Sequence, residues 1–177
     1  MDNSRTLVAF FSRKGENYLV GSIKEGNGEI LAKEAASMLS APVYEIASEK
    51  GYPEDYEECS KAAKAERDSN ERPSLRFPLP DSSGLESLIL VYPNWWGDLP
   101  MPVYTFLDGI NTDGLMVYPV CTHEGNGLGM TDRCLSGVYP KARIMPGIAI
   151  RGTSVQENRA DAVAKLRDYL EKAGFTL

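Results

Sequence analysis

Apolar positions cluster in five short runs that lack polar alternation or nearly so. They are Thr6–Phe11 (TLVAFF), Pro42–Ile46 (PVYEI), Leu88–Tyr92 (LILVY), Leu115–Val120 (LMVYPV) and a run within Ala142–Ile150 that Pro146-Gly147 interrupts. Runs of this length and β-branched or aromatic content predict strands covered on both faces. Between them the spacing turns helical. Leu31, Ala35 and Met38 recur at i, i+4, i+7 and predict a helix from an Asn27 N-cap to about Leu39. Asp55–Arg67 is a polar helix, acidic in its first turn and basic in its last. Val103, Phe106, Leu107 and Ile110 form another, with Pro100 and Pro102 at its start. A short helix follows over 129–135. The last helix begins at a Ser154/Glu157 capping box, runs through Leu166 and Leu170, and stops at Gly174. Tyr18–Glu25 carries no period. Residues 68–84, rich in Pro, Ser and Asp, read as irregular chain whose Leu75, Phe77 and Leu79 lie along the body as an extended edge.

Strands that alternate with helices predict an α/β fold with a parallel sheet and helices on both faces. With 177 residues and no linker or repeat, residues 1–177 read as one domain. The net charge of −6 disfavours nucleic acid and anionic membranes as partners. Cys59, Cys121 and Cys134 are few and unclustered, which fits a reducing, cytoplasmic setting rather than a disulfide framework. They lack zinc-ligand spacing, and His123 is the sole histidine, so no metal site is expected. No apolar run approaches membrane-spanning length.

In an open α/β sheet, ligands bind outside the carboxyl ends of the strands. Three loops at such ends carry distinctive chemistry. After the first strand, Ser12-Arg13-Lys14-Gly15-Glu16-Asn17 offers a hydroxyl, cations and backbone amides to an anion. After the third, Pro93-Asn94-Trp95-Trp96-Gly97-Asp98 places two flat side chains in a turn, a candidate wall for a flat ligand. After the fourth, Cys121–Gly129 combines Thr122, His123 and Glu124 with Gly125, Gly127 and Gly129, which let a backbone approach a ligand closely. One molecule uses all three: a phosphate joined to a flat polar ring.

These motifs, in this order, resemble the flavodoxin-like FMN-binding proteins over nearly the whole chain. Ser12-Arg13-Lys14-Gly15 begins the phosphate loop and Gly26-Asn27-Gly28-Glu29 resembles its usual ending. The tract between them resembles an insertion found in one bacterial branch of the family. Trp96-Gly97-Asp98 matches the turn after the third strand, and Thr122–Gly129 the second ring-binding loop. The resemblance implies a three-layer, doubly wound, five-stranded parallel sheet in the order 2-1-3-4-5, with FMN as cofactor. It also implies phosphate contacts from Ser12, Arg13, Lys14, Asn17, Asn27 and Gly28. Ring contacts would come from Pro93, Asn94, Trp95, Trp96 and Gly97, and from Thr122, His123, Glu124, Gly125 and Gly127. The Gly97–Asp98 peptide would reorient when the flavin is reduced. Three features of these loops depart from the pattern: Lys14 stands where a hydroxyl residue is common, Gly28 replaces a threonine, and the third loop lacks the tyrosine that often stacks on flavin, with His123 its nearest substitute.

The function so implied is electron transfer to redox partner proteins with basic surfaces. The alternative on the same fold is an NAD(P)H-dependent FMN or quinone oxidoreductase, and a third is a binding module that has lost its flavin. A low-molecular-weight tyrosine phosphatase needs a Cys with an Arg six residues on. Here Ala65, Gly127 and Pro140 occupy those places. No GxSxG elbow and no GxxxxGK loop occurs.

Overall fold

The computed structural model describes residues 3–177. A 3-10 turn leads into β1 (Thr6–Phe10), then a hairpin of β2 (Gly15–Asn17) and β3 (Gly21–Ile23). There follow α1 (Asn27–Leu39), β4 (Val43–Glu45), α2 (Tyr56–Asp68), β5 (Ser87–Pro93), α3 (Met101–Asp108) and β6 (Met116–His123). The chain ends with α4 (Thr131–Val138), β7 (Arg143–Ile144), β8 (Ile148–Arg151), α5 (Gly152–Glu157) and α6 (Arg159–Lys172).

The main sheet runs β4-β1-β5-β6, with β7 and β8 both beside β6, and every pair in it is parallel. Counting β7 and β8 as halves of one strand gives the expected order 2-1-3-4-5. The expected five strands are nevertheless six, because Pro146 has no N–H to donate and the ladder breaks there. Strand order reverses between β1 and β5, so the binding edge is where the loops after β1, β5 and β6 meet.

Alternate residues of a strand face opposite sides, and here both sides are covered. Leu88, Leu90 and Tyr92 join Phe106 and Leu107 in one layer. Ile89 and Val91 join Leu31, Leu39, Leu166 and Leu170 in the other. Residues 88–92 are fully buried, and each such side chain contributes about 1.5–3 kcal/mol relative to exposure. That burial explains why β5 reads as an unbroken apolar run.

Some expectations change. Residues 18–25 fall partly in the β2–β3 hairpin, an antiparallel pair separate from the main sheet. Gly26, not Asn27, is the N-cap of α1; Asn27 is already helical and turns its side chain to Gln156. The Ser154/Glu157 capping box does not form. Val155 is buried and draws Gly152–Glu157 into a helix of its own, which Asn158 (φ −138°, ψ 57°) breaks before α6 starts. Leu75 pairs with Ser48 and packs on the core, but Phe77 and Leu79 remain exposed. Among the described residues no helix is long and apolar enough to cross a membrane.

Candidate functional site

The three loops meet around one cleft of about 450 Å³ at the carboxyl edge of the sheet. At one end lies the start of α1. Gly26 is too close to its surroundings to carry a side chain: a Cβ there would stand 2.8 Å from the Arg13 carbonyl oxygen. A Cβ on Gly28 would stand 2.8 Å from the Phe11 carbonyl oxygen. A threonine at 28 therefore has no room, which accounts for that departure from the family pattern. The close approach sets the helix against the β1 loop. No side chain caps α1, so its amino end offers backbone N–H groups and positive dipole to the cleft. The Ser12 hydroxyl is buried at the same place and has no hydrogen-bond partner.

Arg13 lines the cleft, but its guanidinium is engaged elsewhere. It donates to the Glu16 carbonyl, to the Pro53 carbonyl at 2.7 Å and to the Glu54 carbonyl at 2.5 Å. Asn17 holds the same loop by donating to the carbonyls of Arg13 and Gly15. These two residues shape the loop from within. Lys14 is exposed and stands off the cleft wall.

Beyond the β1 loop, residues 95–98 form a tight turn. Trp95 and Asp98 exchange backbone hydrogen bonds at 2.9 and 3.1 Å. Trp96 (φ 58°) and Gly97 (φ 82°) both take left-handed conformations, the signature of a type I′ turn. Such a turn favours Asn-Gly; a tryptophan in its first central position is strained. The two indoles part company. Trp95 packs edge-on against Phe11 and Tyr52, each with ring centres 5.0 Å away. Trp96 is 47% exposed and donates its indole N–H to the Ser60 carbonyl at 3.1 Å. Gly97 does not line the cleft; its N–H donates to Asn94 Oδ1 at 2.9 Å.

Asn94 also donates to the Gly127 carbonyl at 2.9 Å and so ties this turn to the loop after β6. From that loop Thr122, His123 and Glu124 reach the cleft, while Gly125 and Gly127 stand off it. The Gly125 N–H donates to His123 Nδ1 at 2.9 Å. Partial burial pushes the imidazole pKa down, Arg151 adds to that, and Glu124 opposes it. His123 is thus neutral near pH 7. Glu124 accepts from the Thr153 N–H at 2.6 Å and from its hydroxyl at 3.2 Å.

The far wall comes from residues not among the expected site residues. Tyr56, Cys59, Ser60 and Ala63 of α2 line the cleft, with Tyr18 and Val20 of the hairpin. The hairpin is fixed to α2 rather than loose. Tyr18 stacks on Tyr56 (5.6 Å, 27°), and Glu16 accepts from the Tyr56 N–H at 2.9 Å. The signal for α2 was present: Tyr56, Ser60 and Ala63 stand at i, i+4, i+7 in an otherwise polar helix. Burial pushes the Cys59 thiol up, with Arg13 opposing, so the thiol stays protonated.

A profile of the flavodoxin family matches residues 5–166. The chain belongs to the flavodoxin family. Solved structures agree on the fold. A presumed flavoprotein from Bacteroides eggerthii shares 22% identity at a TM-score of 0.74, over 95% of this chain and 96% of that one. A flavoprotein from Lactobacillus acidophilus, solved in complex with FMN, shares 18% identity at a TM-score of 0.65, over 89% of this chain and 99% of that one. An NADH:FMN oxidoreductase in its apo form shares 13% at a TM-score of 0.55, over 96% and 88%. No curated protein matches the chain.

Proposed function

We propose that the cleft binds FMN and that the protein is an electron carrier of flavodoxin type. One observation carries this reading: the unpartnered, buried Ser12 hydroxyl beside the uncapped amino end of α1. A buried hydroxyl with no partner is unfavourable by about 1–3 kcal/mol, and a phosphate oxygen at that point supplies the missing partner. The helix end supplies the remaining donors. The indole of Trp96, the Asn94 turn, Thr122 and His123 then border the part of the cleft open to a flat ring. Membership of the flavodoxin family supports the same cofactor.

Bound FMN would supply the electron-transfer chemistry. The residues of this chain hold it and shape its surroundings. Ser12 and the first-turn amides of α1 fix the phosphate. Trp95 braces the turn that presents Trp96. Neutral His123 places no positive charge at the cleft near pH 7.

A second reading, an FMN-dependent oxidoreductase with a small-molecule substrate, draws on the far wall. Tyr18, Tyr56 and Ala63 extend the cleft beyond the strand-end loops, which leaves space over a bound ring. The two readings separate on turnover. Purified protein should be yellow with bound flavin, and Ser12→Ala should weaken FMN about tenfold or more, the range of a hydrogen bond to a charged group. Colourless protein that takes up no added FMN overturns the flavin reading. Sustained NAD(P)H oxidation with a quinone acceptor favours the enzyme over the carrier.

A further inference from the structure

The basic side chains around the start of α1 already have partners. Lys33 is close by on α1 but is bound to Glu25 at 2.8 Å and Glu29 at 2.6 Å. Arg159 pairs with Glu34 at 2.8 Å. Arg13 lines the cleft but spends its guanidinium on the carbonyls of Glu16, Pro53 and Glu54. The ionisable group that does stand there is an acid, Glu124. Its position is set by Gly152, where a Cβ would lie 2.9 Å from Glu124 Oε1 and 2.2 Å from Asn27 Nδ2. The carboxylate therefore neighbours the first residue of α1. Thr153 supplies its hydrogen bonds, and among the described residues it joins no ion pair.

We propose that Glu124 is a specificity-determining residue, one that works against the phosphate. Resting on the flavin reading above, the inference is that its carboxylate repels a dianionic phosphomonoester at the α1 terminus. It thereby narrows the gap between FMN and the uncharged riboflavin. Neutral donors attract the phosphate: the Ser12 hydroxyl, the Asn27 amide and the helix amides. Glu124 opposes them across a short, partly buried path where charge acts more strongly than in bulk water. The ring contacts are the same for both ligands, so the ratio of their affinities isolates the electrostatic part.

The test is that ratio. FMN and riboflavin are titrated by fluorescence quenching against the full-length protein, Glu124→Gln and Ser12→Ala. Glutamine keeps the shape and an oxygen for the Thr153 N–H while removing the charge. Expected is a rise of about tenfold in the preference of Glu124→Gln for FMN over riboflavin, the fold-change of 1.4 kcal/mol. Riboflavin affinity should be nearly unchanged. A preference equal to that of the unmodified protein, whether both affinities hold or fall together, overturns the inference and leaves Glu124 as a loop anchor. The flavin reading fails separately. It falls if the unmodified protein binds neither ligand, or if Ser12→Ala leaves FMN affinity intact.

Discussion

The Gly97 carbonyl accepts a hydrogen bond from the Met130 N–H at 2.9 Å, joining the tryptophan turn to the start of α4. On the other side of the same peptide, the Asp98 N–H donates to the Trp95 carbonyl at 3.1 Å. A flavodoxin-type reorientation of the Gly97–Asp98 peptide must break both. Each is worth about 0.5–1.5 kcal/mol net, so a new bond to reduced flavin has to offset two existing ones. Gly97 removes the steric part of the barrier, since at φ 82° a residue without a Cβ turns freely to φ of either sign.

That bonding makes the Met130 amide a reporter. In the oxidised protein its hydrogen should exchange slowly, and on reduction of the bound flavin its protection should drop as Gly97 turns away. Hydrogen exchange read at Met130 and Asp98 checks this. Equal protection in both redox states would mean that the turn stays as it is.

Much of this arrangement could be read from residue order, and the part that could not has physical causes. β1, β5 and β6 announce themselves because both faces of the sheet are covered, so nearly every position must be apolar. The glycines and turn formers at 26–28, 93–98 and 122–129 announce the strand-end loops. The bracing role of Arg13 is hidden, because composition shows a cation but not its reach. Its partners Pro53 and Glu54 lie 40 and 41 residues away in sequence. The hairpin had no period because its strands are three residues each and pair only with one another. The capping box at Ser154 and Glu157 has the right spacing, yet burial of Val155 outweighs a local preference of about 1 kcal/mol.

The adjacent tryptophans should respond in opposite ways. Trp95 is wedged between Phe11 and Tyr52, and Trp95→Ala leaves a gap there, destabilising the apoprotein by about 3 kcal/mol. Trp96 holds a left-handed conformation that an asparagine tolerates better. Trp96→Asn creates the favoured Asn-Gly pair and relieves roughly 1 kcal/mol of strain while losing the bond to Ser60. Its net effect on urea unfolding should stay within about 1 kcal/mol of zero. FMN affinity should nonetheless fall about tenfold, in line with the loss of one aromatic contact. Retained affinity in Trp96→Asn would assign the ring contact elsewhere.

Behind Trp95, the Tyr52 hydroxyl donates to Glu66 Oε2 at 2.6 Å. Burial holds the Glu66 carboxyl above its ordinary value of 4.5. The Tyr52 bond pulls the other way, Glu71 adds to the rise and Lys50 opposes it. The folded state thus keeps this proton to a higher pH than the unfolded chain does. Below the ordinary carboxylate value both states are protonated and the site adds no pH dependence. As pH climbs from about 4.5 through the raised value, the unfolded chain releases its proton first and stability declines, then levels off. Glu66→Gln keeps an acceptor for Tyr52 and removes the ionisation. It should match the unmodified protein in denaturant unfolding near pH 4 and exceed it near pH 7. A variant that is the weaker of the two at pH 7 would show that the Glu66 charge stabilises the fold.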